Sequence, residues 1–345
     1  MTQEPPGKVT RSGPHCRETE RLIFFAARKM TISPSTSLEA QCPVCCAPSQ
    51  RYRSFGEYNY RICLQRGCGH VFLGEIPSEK TLAAFYDTCD SELWNSQAFA
   101  ILGDYLTNPV TIRRYYERER TQHIRRVFGS LLAPGNRVLD VGCSSGVFLA
   151  TLRDLGLDVH GQEIAPPAVA AGRERLEIDL FNGSIGDYPL ESPFNLVTSY
   201  DVIEHVPDPR TFLRHIRRLC APGAGIVLRT PNHASWLRWL TGKRWLWYLP
   251  PAHIHLFNTA SLTRLLHEAG FRSVSVRTDA STYLYFLAHY LHRGKAVRVS
   301  LNLPRWKESL IFGLDDALRA AGFPLLLGGH LLRGNPLIEV FATAI

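Results

Sequence analysis

Arg137-Val-Leu-Asp-Val-Gly-Cys-Ser-Ser-Gly146 reads as a strand running into a turn. Val138, Leu139 and Val141 form the short apolar run of a buried strand, and Gly142 and Gly146 mark a tight turn before the helical stretch 147–155. Glycine at such a turn lets a ligand approach the backbone. The helix N-terminus behind it offers N–H groups that have no partner within the helix. Outward from this unit the pattern repeats. RVLDVG (137–142), LDVHGQEI (157–164), FNLVTSYD (194–201) and GIVLRT (225–230) read as strands, while VFLATLRDLG (147–156), AVAAGRERL (168–176), PRTFLRHIRRLC (209–220) and SLTRLLHEAG (261–270) read as amphipathic helices. Such alternation means an α/β protein with a mostly parallel sheet covered on both faces. VSVRTD (274–279) and PLIEVFATAI (336–345) are expected to close the sheet.

Two acids give the glycine turn its ligand. Asp140, at the end of the strand, is wrong for cradling a pyrophosphate and right for an amine or a cation. Glu163 ends the next strand about 20 residues on, where a carboxylate can accept both hydroxyls of a ribose. S-adenosylmethionine carries both an amino-acid part and a nucleoside part. The stretch from Arg137 to about Phe271 closely resembles the class I S-adenosylmethionine-dependent methyltransferases, through VLDVGCSSG, VHGQEI, DVIEHVPDP, APGAGIVLRTPN and HIHLFNTASLTRLLHEAGF in order. That resemblance implies a doubly wound, seven-stranded Rossmann-like sheet with its last strand antiparallel. It also implies that Asp140, Gly142, Cys143 and Gly146 line the methionine end of the cofactor, that Glu163 holds the ribose, and that Ile164 packs on the adenine. In GSIGDYP (183–189) the family's usual Asp-Ala pair is replaced by Ser184-Ile185. Tyr200 and Asp201 are expected beside the transferable methyl.

Methyl transfer from a sulfonium is an in-line displacement, so the acceptor must be aligned and, for oxygen or carbon, deprotonated. The candidates lie in Asp201-Val-Ile-Glu204-His205 and His253-Ile-His255. Asp201, Glu204 and His205 stand at i, i+3 and i+4, so one helical turn places them on one face. With His255 they make two carboxylates and two imidazoles. Three readings stay open: His205 or His255 as a general base tuned by Glu204, the four together as a divalent-cation site, or Glu204 and His205 as no more than braces for a loop. The cation reading resembles the small-RNA 2′-O-methyltransferases and the polyprenyl-catechol O-methyltransferases, with Asp201 standing where those families have Glu. SWLRWLTGKRWLWY (235–248) follows the fifth strand and reads either as a lid over the acceptor or as the core of a small insertion.

Upstream, Cys42-Pro-Val-Cys45 and Cys63-Leu-Gln-Arg-Gly-Cys68 give C-x2-C-x17-C-x4-C. Cys42, Cys45, Cys63 and Cys68 are expected to hold a structural zinc, with Cys46 or His70 as substitute ligands. The segment resembles the zinc-ribbon lead of some bacterial methyltransferases, including ones that act on sugars, although x4 replaces the usual x2 in its second knuckle. The expected organisation is a flexible lead (1–37), a zinc-ribbon-like module (38–75), a helical linker and cap (76–132) and the methyltransferase domain (133–345).

Composition agrees with this reading. The chain is 45% hydrophobic and 20% charged, which fits a globular protein with a sizeable core and excludes collagen-like and wholly disordered classes. No apolar run approaches the roughly 18–20 residues that span a bilayer, and MTQEPPGK has no apolar h-region, so the expectation is a cytoplasmic protein. The net charge is +8. From Val206 to Trp306 there are 15 basic residues, three acids and seven histidines. That field suits an anionic partner. The expected activity is methyl transfer from S-adenosylmethionine to an oxygen or carbon of a small anionic acceptor, such as a nucleotide sugar or glycan-lipid precursor. The alternatives are metal-assisted O-methylation of a polyprenyl-phenol or an RNA 2′-hydroxyl, and a cofactor-binding interaction module without turnover. Residues 283–336 read as helical and amphipathic, suited to a cap, an interface or a peripheral membrane contact.

Overall fold

A computed structural model of the chain describes residues 40–78, 82, 102, 103, 105–279 and 334–345. Its strands are β1 (Ser49–Phe55), β2 (Tyr58–Cys63), β3 (Val71–Leu73), β4 (Arg137–Val141), β5 (Asp158–Glu163), β6 (Leu180–Asn182), β7 (Phe194–Tyr200), β8 (Cys220–Pro231), β9 (His255–Leu256), β10 (Phe271–Asp279) and β11 (Leu337–Ala344). The α-helices are α1 (Pro109–Tyr116), α2 (Gln122–Phe128), α3 (Val147–Arg153), α4 (Pro166–Leu176), α5 (Pro209–Leu219), α6 (Trp236–Thr241) and α7 (Thr259–Glu268), and a π-helical segment, Glu117–Thr121, joins α1 to α2. The expected lead, residues 79–81, 83–101 and 104 of the expected helical linker and cap, and nearly all of 283–336 lie outside the described residues. No helix among the described residues is long and apolar enough to cross a membrane.

The larger sheet runs β10-β11-β8-β7-β4-β5-β6. Strands β4 to β8 pair in parallel, and β11 lies antiparallel between β8 and β10. This is the doubly wound, seven-stranded arrangement with its last strand antiparallel that the family resemblance implied. Because β4 is flanked on both sides, successive residues feed opposite layers. Leu139 and Val141 join Val197, Ile226 and Val340 under α5 and α7, through Phe212, Ile216, Leu262 and Leu265. Val138 joins Leu196, Val227 and Phe341 on the other face, beneath Ile112, Ile124, Phe148 and Leu149 of α1 to α3. Each such side chain contributes about 1.5–3 kcal/mol when fully buried.

The helices are capped by their own sequence. Asp208 accepts from the backbone N–H groups of Arg210 and Thr211 (3.0 and 3.1 Å) and Pro209 follows as the first residue of α5. Asn258 and Ser261 form a reciprocal capping box at α7.

The cysteine segment forms a second, smaller antiparallel sheet, β1-β2-β3-β9. Its last strand comes from the chain between β8 and α7, so the module borrows a strand from the larger domain. A third core joins them, with Tyr60, Val71 and Leu73 packed against Trp245, Tyr248 and Ile254. The tryptophan-rich stretch is thus only partly interior, Trp245 being 2% exposed, whereas Trp239 on α6 is 77% exposed.

Candidate functional site

Every position expected to meet the cofactor lies at the carboxyl ends of β4, β5, β6 or β7. The β4–α3 turn needs its glycines, because Gly142 has φ +73° and a Cβ there would sit 2.4 Å from Val202 Cγ2. The Gly142 and Cys143 N–H groups both donate to the Gln162 carbonyl (2.8 and 3.0 Å), tying the turn to β5. Gly146, at φ +77°, caps α3, and the Cys143 thiol is buried. Glu163 accepts from Ser144 N (2.9 Å), Ile164 N (2.8 Å) and Ala165 N (2.9 Å), which aims its carboxylate at the mouth of the turn. Ile164 is exposed beside it, Ser184 caps a 3-10 turn by accepting from Gly186 N (3.3 Å), and Ile185 is buried.

Asp140 is buried and accepts from the Thr198 hydroxyl at 2.6 Å. Burial pushes its carboxyl up to about 6, against the pull of the Arg120 guanidinium and the Thr198 hydroxyl. Arg120, in the π-helical segment, lies over the rings of Tyr116, Phe148 and Tyr200 at 5.0, 4.9 and 4.0 Å. The Tyr200 hydroxyl is buried without a hydrogen-bond partner among the described residues. A buried acid, a buried-face arginine and an unpaired hydroxyl suit the ammonium and carboxylate of an amino acid, so these residues fit the methionine end of S-adenosylmethionine. Sequence reading missed Arg120. It lies in the charged run RRYYERERTQHIRR, and nothing local marks the π segment that turns it inward.

Of the expected acid–imidazole cluster, Glu204 and His205 come together, joined by His253 and without Asp201 or His255. Glu204, His205 and His253 bring ligand atoms within 4.8 Å of one another. His205 Nδ1–H donates to the Ala252 carbonyl and His253 Nδ1–H to the Trp247 carbonyl, both at 2.9 Å, which leaves Nε2 as the lone-pair nitrogen of each ring. Glu204 is buried and accepts from the Thr230 hydroxyl at 2.9 Å. Burial, then the neighbouring Asp201 charge, pushes its carboxyl up to about 8. Burial lowers His205 to about 4 and holds His253 well below the usual imidazole range.

The other two expected members point elsewhere. Asp201 does not begin a helical turn: it is left-handed at φ +59°, donates its N–H to the Arg229 carbonyl (2.9 Å), and ion-pairs with the Arg229 guanidinium. His255 faces away from Glu204. Its Nδ1 meets His70 Nε2 at 3.2 Å and its Nε2 meets the Pro207 carbonyl at 3.3 Å, because β9 is held in register against β3.

Cys42, Cys45, Cys63 and Cys68 converge, their sulfurs also within 4.8 Å of one another, with Cys42–Cys68 at 3.9 Å and Cys45–Cys63 at 3.3 Å. Tetrahedral Zn–S bonds imply sulfur–sulfur edges of about 3.8 Å, so the donor set fits zinc. The hydrogen bond between Cys42 and Cys68 lowers the Cys68 thiol and raises that of Cys42, so the pair shares one proton, which a metal would displace. Cys46 is exposed, and neither it nor His70 belongs to the set.

Residues 112–276 match the family described as a methyltransferase domain. A ubiquinone biosynthesis O-methyltransferase of Xanthomonas euvesicatoria pv. vesicatoria (strain 85-10) is 31% identical over 164 residues, which cover 44% of this chain and 67% of the relative. One from Thiobacillus denitrificans (strain ATCC 25259 / T1) is 30% identical over 152 residues, covering 40% and 66%. The chain thus spans about two thirds of the length of these relatives. Among solved structures, phosphoethanolamine N-methyltransferase 2 of Haemonchus contortus, in complex with S-adenosyl-L-methionine, superposes with a TM-score of 0.50 at 18% identity, over 79% of this chain and 61% of that one. At that identity the likeness is one of fold.

Proposed function

The chain belongs to the S-adenosylmethionine-dependent methyltransferases, and from that premise we propose that it methylates a hydroxyl of a small-molecule acceptor at Glu204, His205 and His253. Bound S-adenosylmethionine supplies an electrophilic methyl group on a sulfonium. Asp140 takes its ammonium, Arg120 its carboxylate and Glu163 its ribose hydroxyls, with Gly142, Cys143 and Gly146 forming the wall of the turn. Ile164, Ser184 and Ile185 border the adenine. Tyr200 ends β7 at the methyl, with Asp201 held beside it by Arg229.

The observation that carries the acceptor chemistry is the convergence of one carboxylate and two imidazoles within 4.8 Å. An imidazole lowered to about 4 is a weak base for a hydroxyl proton, but a neutral one is a good metal ligand. Both rings also carry the supporting hydrogen bond, Nδ1–H to a backbone carbonyl, that fixes a ligating histidine's tautomer. We therefore read the cluster as a divalent-cation site, where a bound cation lowers the pKa of an acceptor hydroxyl. Glu204, His205 and His253 would hold that cation, and Asp201 adds negative charge nearby. The relatives named for ubiquinone biosynthesis O-methylation support a phenolic acceptor over a nucleotide sugar.

The test is methyl transfer from labelled S-adenosylmethionine to polyprenyl catechols, nucleotide sugars and RNA, with Mg2+ or Mn2+ and with chelator. We expect turnover on the catechols, lost on chelation and restored by cation. Glu204→Ala or His253→Ala should cut turnover by about 100-fold or more while cofactor affinity stays near wild type. Chelator-insensitive turnover, or full activity in both variants, would sink the cation assignment.

A further inference from the structure

One segment of four residues, 252–255, joins the cysteine module to the acid–imidazole cluster. The Ala252 carbonyl accepts from His205 Nδ1 at 2.9 Å. The His253 carbonyl accepts from the buried Tyr60 hydroxyl of β2 at 2.7 Å. Ile254 and His255 both donate their N–H groups to the Glu204 carbonyl (2.9 and 3.0 Å), while the Ile254 carbonyl accepts from Leu73 N of β3 at 2.9 Å. The His255 ring then meets His70, two residues beyond Cys68, at 3.2 Å. Ile254 and His255 are thus each tied to both the module and the Glu204 carbonyl, while Ala252 is tied to His205 and His253 to Tyr60 of the module.

The tautomers around this contact are determined by chemistry. A carbonyl can only accept, so His255 Nε2–H donates to Pro207, His255 Nδ1 carries the lone pair, and His70 Nε2–H donates to it. His70 therefore supplies a directed donor across the junction, and Asn258 reinforces it from the other end by donating to the Cys68 carbonyl at 2.8 Å.

We propose that the cysteine module is a working part of the transfer site, with Tyr60 and His70 as positioning residues that set His253 through the segment 252–255. A metal on Cys42, Cys45, Cys63 and Cys68 would then govern methyl transfer without touching substrate. This rests on the reading of Glu204, His205 and His253 as the reacting site.

The test uses the full-length, zinc-loaded protein and three variants. Tyr60→Phe removes one hydroxyl. His70→Phe removes the donor and keeps a flat ring, and His70→Gln returns an N–H. In Tyr60→Phe and His70→Phe we expect zinc content and S-adenosylmethionine affinity to match wild type while Mn2+ affinity and kcat each fall about 10-fold, as when ligand-orienting groups are lost. His70→Gln should recover most of the loss. Wild-type Mn2+ affinity and kcat in both Tyr60→Phe and His70→Phe, with His253→Ala inactive, overturn the proposal and leave the site reading standing. So does a parallel fall in cofactor affinity and zinc content, which marks a merely structural role. Wild-type turnover in His253→Ala overturns the site reading and this proposal together. If His70→Phe does not fold, Tyr60→Phe decides alone.

Discussion

Asp140 shows how much a single side chain in this protein depends on what it meets. Without a ligand its buried carboxyl titrates at about 6, above the ordinary 3.8. A ligand ammonium favours the charged form, so binding is opposed by protonation below that value and free of it above. We predict that S-adenosylmethionine affinity rises about 10-fold between pH 5 and pH 7 and then levels. Calorimetric titration across that range checks it, and Asp140→Asn should bind weakly with no slope. A flat wild-type profile would remove Asp140 from the ammonium site. Asp140, Gly142, Gly146 and Glu163 were legible in the sequence because strand, turn and helix follow one another within about 25 residues. His253 was not separable from His255. The choice between them is made by the pairing of β9 with β3, which brings Phe72 opposite His255, a contact that no local pattern encodes.

Among elements, those with a strong period were legible and those set by partners were not. The apolar alternation found β4, β5, β7, β8, β10 and β11 and the helices α3, α4, α5 and α7. It could not find β9, two residues long, or the π segment, whose extra residue per turn has no compositional mark. The expected helical turn at Asp201 gave way to a left-handed residue whose carboxylate pairs with Arg229 on β8, a partner 28 residues away that no local pattern marks. The paired cysteine turns were legible by spacing alone. Elemental analysis is expected to find one tightly held zinc per chain. Cys63→Ser should lose that zinc and lower the melting temperature by about 5 °C or more, with helical content largely kept. Unchanged zinc content would mean that the four thiols do not act as a set.

At the scale of the whole molecule, the buried acid of the candidate cation site links stability to pH. Glu204 is raised from 4.5 to about 8 by burial and Asp201. Its folded-state pKa exceeds its unfolded one, so its contribution is full below about pH 4.5 and is lost as pH rises through 8. The buried imidazoles work the other way, being lowered while the unfolded histidines still shed protons through about pH 7.5, so the share of Glu204 is read against Glu204→Gln. We predict that from pH 6.5 to 8.5 the cation-free protein loses stability relative to Glu204→Gln, by an amount on the order of a kcal/mol or more. Mn2+ at pH 8 should close that gap. Denaturant midpoints of both proteins at each pH decide this, and parallel curves would show that Glu204 does not titrate there.

The order of strands carries a further consequence, for synthesis. Strand β11 sits between β8 and β10, yet of the described strands it is the last to leave the ribosome. Until residues 337–344 emerge, β8 must present a long row of unpaired backbone groups along one edge, and so must β10. The nascent chain therefore waits with an open flank, a natural landing place for a chaperone, and translation pauses upstream of β11 would lengthen its exposure to aggregation.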